Sequence, residues 1–199
     1  MALLFTYTKE EIDKIGNAII YLADKIPFLS KTKILKLIYL IEETSIRKYG
    51  LPIFNLSFLL WKFGPVSKDL FIELSSDLDL LQHYITVKRN DNDCNNYFVS
   101  LQPFCDDEFS DNDMSVIDLV IEKFKGYSAE ELVKFTHREH SLWHTTAKEA
   151  GVLESLENQL VNNTDIEIDF STLLKHDTLK KEMYLQHKEY LMLSRSLKF

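Results

Sequence analysis

The chain has 199 residues, of which 45% are hydrophobic, so it can form one globular domain with a sizeable core. Its formal net charge of −8 argues against nucleic acid as a partner, because phosphate backbones select clustered Lys and Arg. It has two cysteines, Cys94 and Cys105, no recognisable export signal, and no apolar run near the ~20 residues of a membrane span. We therefore expect a cytoplasmic protein with reduced thiols and no membrane association.

Two helices are predicted first along the chain. Thr8 and Glu11 have the spacing of a capping box, which indicates a helix start. Ser30 can cap a second helix, over about 31–48, and Gly50 closes it as glycine commonly does. This second helix is apolar almost all round, so we expect it at the centre of the core.

The segment around Gly64, Pro65 and Val66 is predicted to turn sharply and to begin a helix at once. Gly64 permits φ values closed to other residues, and Pro65 has its φ preset near the helical value. Proline is also common in the first turn of a helix, where its missing N–H costs nothing. The apolar residues that follow have helical spacing: Leu70, Phe71, Leu74, Leu78 and Leu81.

The period of the sequence then changes from helical to strand-like. Residues 83–88 and 97–101 are rich in β-formers, and the polar segment 89–96 lies between them. This pattern predicts a β-hairpin near 83–102 with a long loop. Because an isolated hairpin is marginal in water, it must pack on the helices.

Four more helices are predicted after the hairpin. One begins at Ser110 or Asp111, one follows a capping box at Ser128 and Glu131, and one is capped by Ser141. The last runs from 178 to about 197. It carries more apolar surface than one-sided packing needs: Leu179, Met183, Tyr190, Leu193 and Leu197 lie on one side, with Tyr184, Leu191 and Met192 beyond them. Docking onto its own domain is the favoured interpretation, and a partner-binding helix is the second.

The predicted fold class is therefore mainly α, a compact helical domain of about six to seven helices with one small β-hairpin. Residues 1–151 are expected to form the helical domain. Residues 152–199 are expected to form a C-terminal extension that ends in a helix and packs on the same domain. Within this extension, Ile166, Ile168 and Phe170 show a weak strand-like alternation.

No phosphate-binding glycine loop, nucleophile elbow or paired-cysteine metal motif occurs in the chain. His137, His140 and His144 would share one face of an unbroken helix and could hold a metal ion. Ser141, however, looks like a cap that breaks the helix between the second and third histidines. We expect no catalytic residue, cofactor or metal, and a metal-dependent enzyme that uses these histidines remains an alternative.

Several aromatic residues have two interpretations. Trp61 and Phe63 precede the predicted turn, where burial in the core is favoured and an interface patch is the alternative. Tyr184 and Tyr190 are candidate partner-binding residues on the last helix. His137 and Trp143 are interpreted as structural, with Trp143 as a core anchor.

Five short motifs occur in an order that resembles a known family. They are LKLIYL at 35–40, KYGLPI at 48–53, GPV at 64–66, YSAEEL at 127–132 and SLW at 141–143. Over about residues 9–151 the chain resembles the Panacea domain, also called the SocA-like antitoxin domain. Gly64, Pro65 and Val66 match its Gly-Pro-Val element, and His137 and Trp143 match its His-to-Trp element.

The resemblance implies a bacterial or phage protein, commonly the antitoxin of a two-gene toxin–antitoxin pair that neutralises its toxin by direct binding. Some members resemble adaptors that present the toxin to an ATP-dependent protease. The family has no established catalytic residues, so none is assigned to this chain. The alternative that stays open is a prophage-associated accessory protein of the same fold with a different protein partner.

Overall fold

The computed structural model describes residues 7–90 and 95–196, and within them the chain is mainly α-helical with two small antiparallel sheets. This confirms the predicted fold class, although eight α-helices are present in these ranges and the second sheet was not predicted. In chain order the elements are α1 Lys9–Lys25, α2 Lys31–Tyr49, β1 Leu59–Trp61, β2 Gly64–Val66, α3 Lys68–Glu73, β3 Ile85–Arg89, β4 Asn96–Ser100, α4 Asp111–Phe124, α5 Ala129–His137, α6 Leu142–Glu149, α7 Leu153–Glu157, β5 Asn163–Glu167, a 3-10 helix Phe170–Leu174, and α8 Thr178–Ser196.

Helix α2 lies at the centre of the molecule, as its all-round apolar character predicted. The Ser30 side chain accepts a hydrogen bond from the backbone N–H of Lys33 at its start, and Gly50 ends it in the left-handed conformation. It packs against α4, α5, β2 and the 3-10 helix. Two charged residues of this helix, Lys36 and Glu42, are each only 1% exposed.

The prediction that Pro65 begins a helix is wrong. Gly64–Val66 forms strand β2, which pairs antiparallel with β1 so that Trp61 lies opposite Gly64 and Pro65 opposite Leu60. The sheet order is β2-β1-β5, so Pro65 stands on an edge strand, where its missing N–H breaks no ladder hydrogen bond. Helix α3 begins only at Lys68.

Helix α3 is also shorter than the apolar row predicted. It ends at Glu73, whose buried carboxylate accepts hydrogen bonds from the backbone N–H groups of Asp79 and Leu81. This carboxylate folds the following loop back, so Leu74 and Leu81 reach the core without helical structure beyond α3.

Strand β5 brings the C-terminal part of the chain into the same sheet. Asn163 pairs with Trp61, and Glu167 pairs with Leu59. Ile168 and Phe170 then enter the core cluster around α2. The weak alternation over 166–170 therefore includes only the end of a real strand.

The predicted hairpin is confirmed as β3 and β4, which pair in register from Ile85 opposite Ser100 to Arg89 opposite Asn96. The backbone N–H of Phe98 donates to the carbonyl of Leu29, which joins the hairpin to the turn between α1 and α2. Cys94 lies outside the described residues.

Helix α8 docks on the body with a different side from its long apolar stripe. Tyr184 is its one fully buried residue among those described, whereas Leu179, Tyr190 and Leu193 are well exposed. Leu197 lies outside the described residues. Within the described ranges, no helix combines the length and apolar character needed to cross a membrane.

Candidate protein-binding site

A buried lysine marks the junction between α2 and the β1–β2 hairpin. Lys36 projects from α2 and donates a hydrogen bond from Nζ to the carbonyl oxygen of Pro65 at 2.8 Å. Burial lowers the pKa of this amine to about 7, because the charged form loses its hydration. A protonated Lys36 amine can donate three hydrogen bonds, and among the described residues the Pro65 carbonyl accepts one of them.

Gly64 is surrounded by polar atoms of this junction. Its φ is +95°, and a Cβ at this position would lie 2.8 Å from Thr136 Oγ1, 3.0 Å from Lys36 Nζ and 3.2 Å from His137 Nε2. These three atoms come from α2 and from the end of α5. The glycine is therefore required both by its backbone conformation and by the close approach of its neighbours.

His137 and Trp143 join this junction to α6. Their rings stack with centroids 4.0 Å apart and planes 12° from parallel. The Trp143 indole N–H donates to the carbonyl oxygen of Trp61 at 3.1 Å, which ties α6 to β1. Burial, with a smaller contribution from Lys36, lowers the pKa of His137 to about 4, so its ring is neutral at pH 7.

The Nε2 atom of His137 is buried and has no hydrogen-bond partner among the described residues. Together with Lys36, it leaves unused hydrogen-bonding capacity at the centre of the junction. Such capacity is costly in a folded protein unless another group uses it.

An open groove of about 480 Å³ lies over Lys36. Its walls are mostly apolar and come from α2, the β1–β2 hairpin, α3 and α5. The lining residues are Lys31, Thr32, Leu35, Lys36, Trp61, Phe63, Val66, Phe71, Ala129, Glu130, Val133, Lys134 and Asn162.

Three aromatic rings shape this groove. Trp61 and Phe71 meet edge to face with centroids 4.9 Å apart, and both are half-buried. Phe63 occupies the two-residue turn between β1 and β2 and is 62% exposed. The prediction that Phe63 is a core residue is wrong, because the tight hairpin points this position away from the body.

The groove differs in charge from the rest of the chain. Its lining includes Lys31, the buried Lys36, and Lys134 paired with Glu130 at 2.8 Å, whereas the whole chain has a net charge of −8. The Lys31 amine lies 4.5 Å from the Phe71 ring centroid and the Lys62 amine 4.7 Å from the Phe63 centroid. A surface of aromatic rings and cations suits an apolar side chain with a carboxylate nearby.

The structure does not bring the three histidines together as a metal site. Helix α5 ends at His137, His140 is exposed at a positive φ of 63°, and Ser141 caps α6 through the backbone N–H of His144. Among the described residues, no group of three or more His, Cys, Asp or Glu could hold a metal ion. The helix break predicted at Ser141 is therefore confirmed, and the metal-dependent alternative has no geometric support.

The two tyrosines of α8 have different surroundings. Tyr184 is 5% exposed and belongs to the core cluster, so its ring is not available to a partner. Tyr190 is 67% exposed on the outer side of the helix. The prediction of partner contact can therefore be kept for Tyr190 only.

Sequence reasoning assigned no role to Lys36, Glu42 or Thr136. Glu42 accepts hydrogen bonds from the backbone N–H groups of Ile53 and Phe54, at 2.7 and 2.9 Å, and so holds the segment before β1 in place. A signal for two of the three was present, because a lysine and a glutamate inside an otherwise apolar helix are expected to be buried with partners. Nothing in the sequence indicates the position of Thr136.

Comparison with protein-family models finds a match over the centre of the chain. The model described as "Antitoxin SocA-like, Panacea domain" matches residues 34–144. The match is narrower than the resemblance over 9–151 and includes Lys36, the β1–β2 hairpin, α5 and Trp143. Neither the curated proteins nor the solved structures give a match to the chain.

Proposed function

Because the chain belongs to the antitoxin SocA-like, Panacea domain family, we propose that it is an antitoxin that binds a cognate toxin directly through the groove over Lys36. It acts as a binding module in the cytoplasm and not as an enzyme. Neutralisation then follows from occupation of the toxin surface.

The observation that carries this proposal is the position of Phe63. A phenylalanine that is 62% exposed at the tip of a hairpin gains little from folding, yet it stands beside two further aromatic residues of an open groove. Aromatic residues of this kind supply much of the binding energy at protein interfaces. The hairpin that presents Phe63 is held rigidly by the Lys36 and Trp143 hydrogen bonds.

The groove also indicates which side chains of the toxin it would bind. An apolar side chain of the toxin would enter between the rings of Trp61, Phe63 and Phe71. A neighbouring carboxylate would meet Lys31 and Lys62, whose amines lie over the rings of Phe71 and Phe63. A segment that combines both features is the ligand this surface fits best.

Co-expression with the product of the adjacent gene tests the proposal. We expect the wild-type chain to restore growth and to co-purify with that product, and Phe63→Asp to lose both. Phe28→Asp is the matched control, because Phe28 is 59% exposed and does not line the groove. Absence of both rescue and co-purification with the wild-type chain would refute the proposal.

The same cultures separate neutralisation by binding from delivery to an ATP-dependent protease. Binding alone leaves the level of the toxin unchanged, whereas delivery lowers it in cells that contain the protease. A prophage accessory protein with another partner would co-purify with the adjacent product without any toxicity to neutralise.

A further inference from the structure

Helix α8 presents an apolar stripe straight into solvent. Leu179, Tyr190 and Leu193 are 69%, 67% and 57% exposed, and Met183 is 36% exposed. With Gln186 these residues are spaced four, three, four and three apart along the helix. This is the repeat of a coiled-coil seam, with one polar position.

Another side of α8 is fixed to the body by polar contacts. The His187 ring lies 2.8 Å from Asn55 Oδ1, the Lys188 amine 3.3 Å from Glu167, and the Arg195 guanidinium 3.1 Å from Glu11. Tyr184 is buried on the same side. The helix therefore cannot roll its apolar stripe inward without losing these contacts.

The charged residues beside the apolar stripe indicate which charge a partner that covers the stripe should carry. Glu182 and Glu189 flank it one heptad apart, are exposed, and make no hydrogen bond or ion pair with any described residue. On the other flank, Lys180 is paired with Asp177 at 3.1 Å. The unpaired charges beside the stripe are therefore negative.

Pairing with a second copy of the chain gains nothing from these charges. An antiparallel pair of α8 helices would place the flanking glutamates against one another. A parallel pair would place Glu182 near His187 of the second copy, but burial lowers the pKa of His187, and its ring already contacts Asn55. Neither arrangement provides a cation for the glutamates.

We propose that the outer face of α8 binds an amphipathic helix of another protein, with an apolar heptad seam flanked by Lys or Arg. This surface lies outside the family region, and none of its stripe residues lines the groove. The proposal is therefore independent of toxin binding in the groove. A helix of 19 residues offers fewer than three heptads, so the pairing is expected to be weak and reversible.

Synthetic three-heptad peptides provide the probe. We would titrate the full chain with a peptide that has Leu at the seam and Lys at both flanks, with the same peptide carrying Glu at the flanks, and with one carrying Lys flanks and a Ser seam. The Leu–Lys peptide should bind at least about tenfold more tightly than either of the others. Equal binding of the Lys-flanked peptides would overturn the proposal, because only the net charge of the chain would then matter.

Matched variants localise the binding to α8. Leu193→Glu should weaken binding of the Leu–Lys peptide at least about tenfold, because it places a charge in the seam. Leu119→Glu should leave it unchanged, because Leu119 is 52% exposed on a different helix, α4. Equal affinities for the two variants would overturn the proposal.

Sedimentation of the chain alone tests whether the apolar stripe binds a second copy of the chain or a helix of another protein. The chain should remain a monomer at concentrations where the peptide binds. A dimer that dissociates in Leu193→Glu would overturn the proposal and assign the stripe to self-association.

Discussion

Gly64 is required at its position for two separate structural reasons. Its positive φ makes the turn into β2, and its missing side chain leaves room for Lys36, Thr136 and His137 to approach one backbone atom. A side chain here would oppose both requirements at once. Gly151 has a similar φ of +70°, but a Cβ added there would meet no atom of a described residue within 4 Å, so this glycine isolates the backbone effect.

Gly64→Ala is expected to lower the free energy of unfolding by about 3 kcal/mol or more, because strain and steric overlap add. Gly151→Ala should cost only about 1 kcal/mol, the strain alone. Urea denaturation of both variants measures the difference. Equal losses would show that the polar junction tolerates a methyl group.

Lys36 predicts a specific dependence of stability on pH. Its pKa is lowered from 10.5 to about 7 in the folded chain, so above pH 7 the unfolded state binds the extra proton. The free energy of unfolding should therefore rise from pH 7 to pH 9, by about 2 kcal/mol for this group. Lys36→Met should remove that rise, as measured by urea denaturation at each pH.

Lys125→Met is the control for this pH dependence, since Lys125 is exposed and its amine pairs with Glu122 at 2.9 Å. It should retain the rise seen in the wild type. A rise that persists in Lys36→Met would contradict this prediction, because another titrating group and not the Lys36 amine would then cause it.

At the scale of elements, α6 is joined to the β1–β2 hairpin by one indole hydrogen bond. Trp143→Phe removes the bond to the Trp61 carbonyl and weakens the stack on His137. We expect a loss of about 1 kcal/mol in the free energy of unfolding, because the partly buried Trp61 carbonyl loses its indole donor. Trp61→Phe should cost less, since the Trp61 indole N–H makes no hydrogen bond with a described residue.

Local signals predicted correctly the starts of the helices that begin with a side-chain cap. The capping boxes predicted at Thr8 and Ser128 are both present, and Ser110, predicted only as a helix start, forms a third, because a cap depends on residues within one helical turn. The Gly-Pro-Val segment was predicted wrongly because its structure depends on strand pairing. Strand β5, which completes that sheet, lies about 100 residues further along the chain, and no local pattern records this pairing.

The candidate site was predicted only in part for the same reason. Gly64, Pro65, His137 and Trp143 could be named from motifs, but the atoms that meet at Gly64 come from elements far apart in sequence. Lys36 could have been suspected from its place in an apolar helix. The exposure of Phe63 could not be predicted from the sequence, because it depends on the pairing of β1 with β2.

At the scale of the whole molecule, the segment after residue 151 contributes to the fold of the family region. It supplies β5 to the sheet and Ile168, Phe170 and Tyr184 to the core. A chain of residues 1–151 should therefore lose cooperative thermal unfolding, because β1 loses a neighbour and the core loses five buried side chains, these three with Leu156 and Leu174. Calorimetry of the purified fragment measures this.

A chain of residues 1–177 is the comparison for that truncation. It keeps β5 and the 3-10 helix and, of the described elements, lacks α8 alone, so it should still unfold cooperatively at a lower temperature. Cooperative unfolding of 1–151 at the temperature of the full chain would show that the C-terminal segment is an independent addition.

Recognition of a protein toxin by the groove over Lys36 is the proposal on which the function of this chain depends. The most direct measurement is calorimetric titration of the purified adjacent gene product into the wild-type chain, Phe63→Asp and Phe28→Asp. We predict a one-to-one complex with the wild type, at least about tenfold weaker binding to Phe63→Asp, and unchanged binding to Phe28→Asp. No complex with the wild type, or equal affinities for the two variants, would contradict the claim.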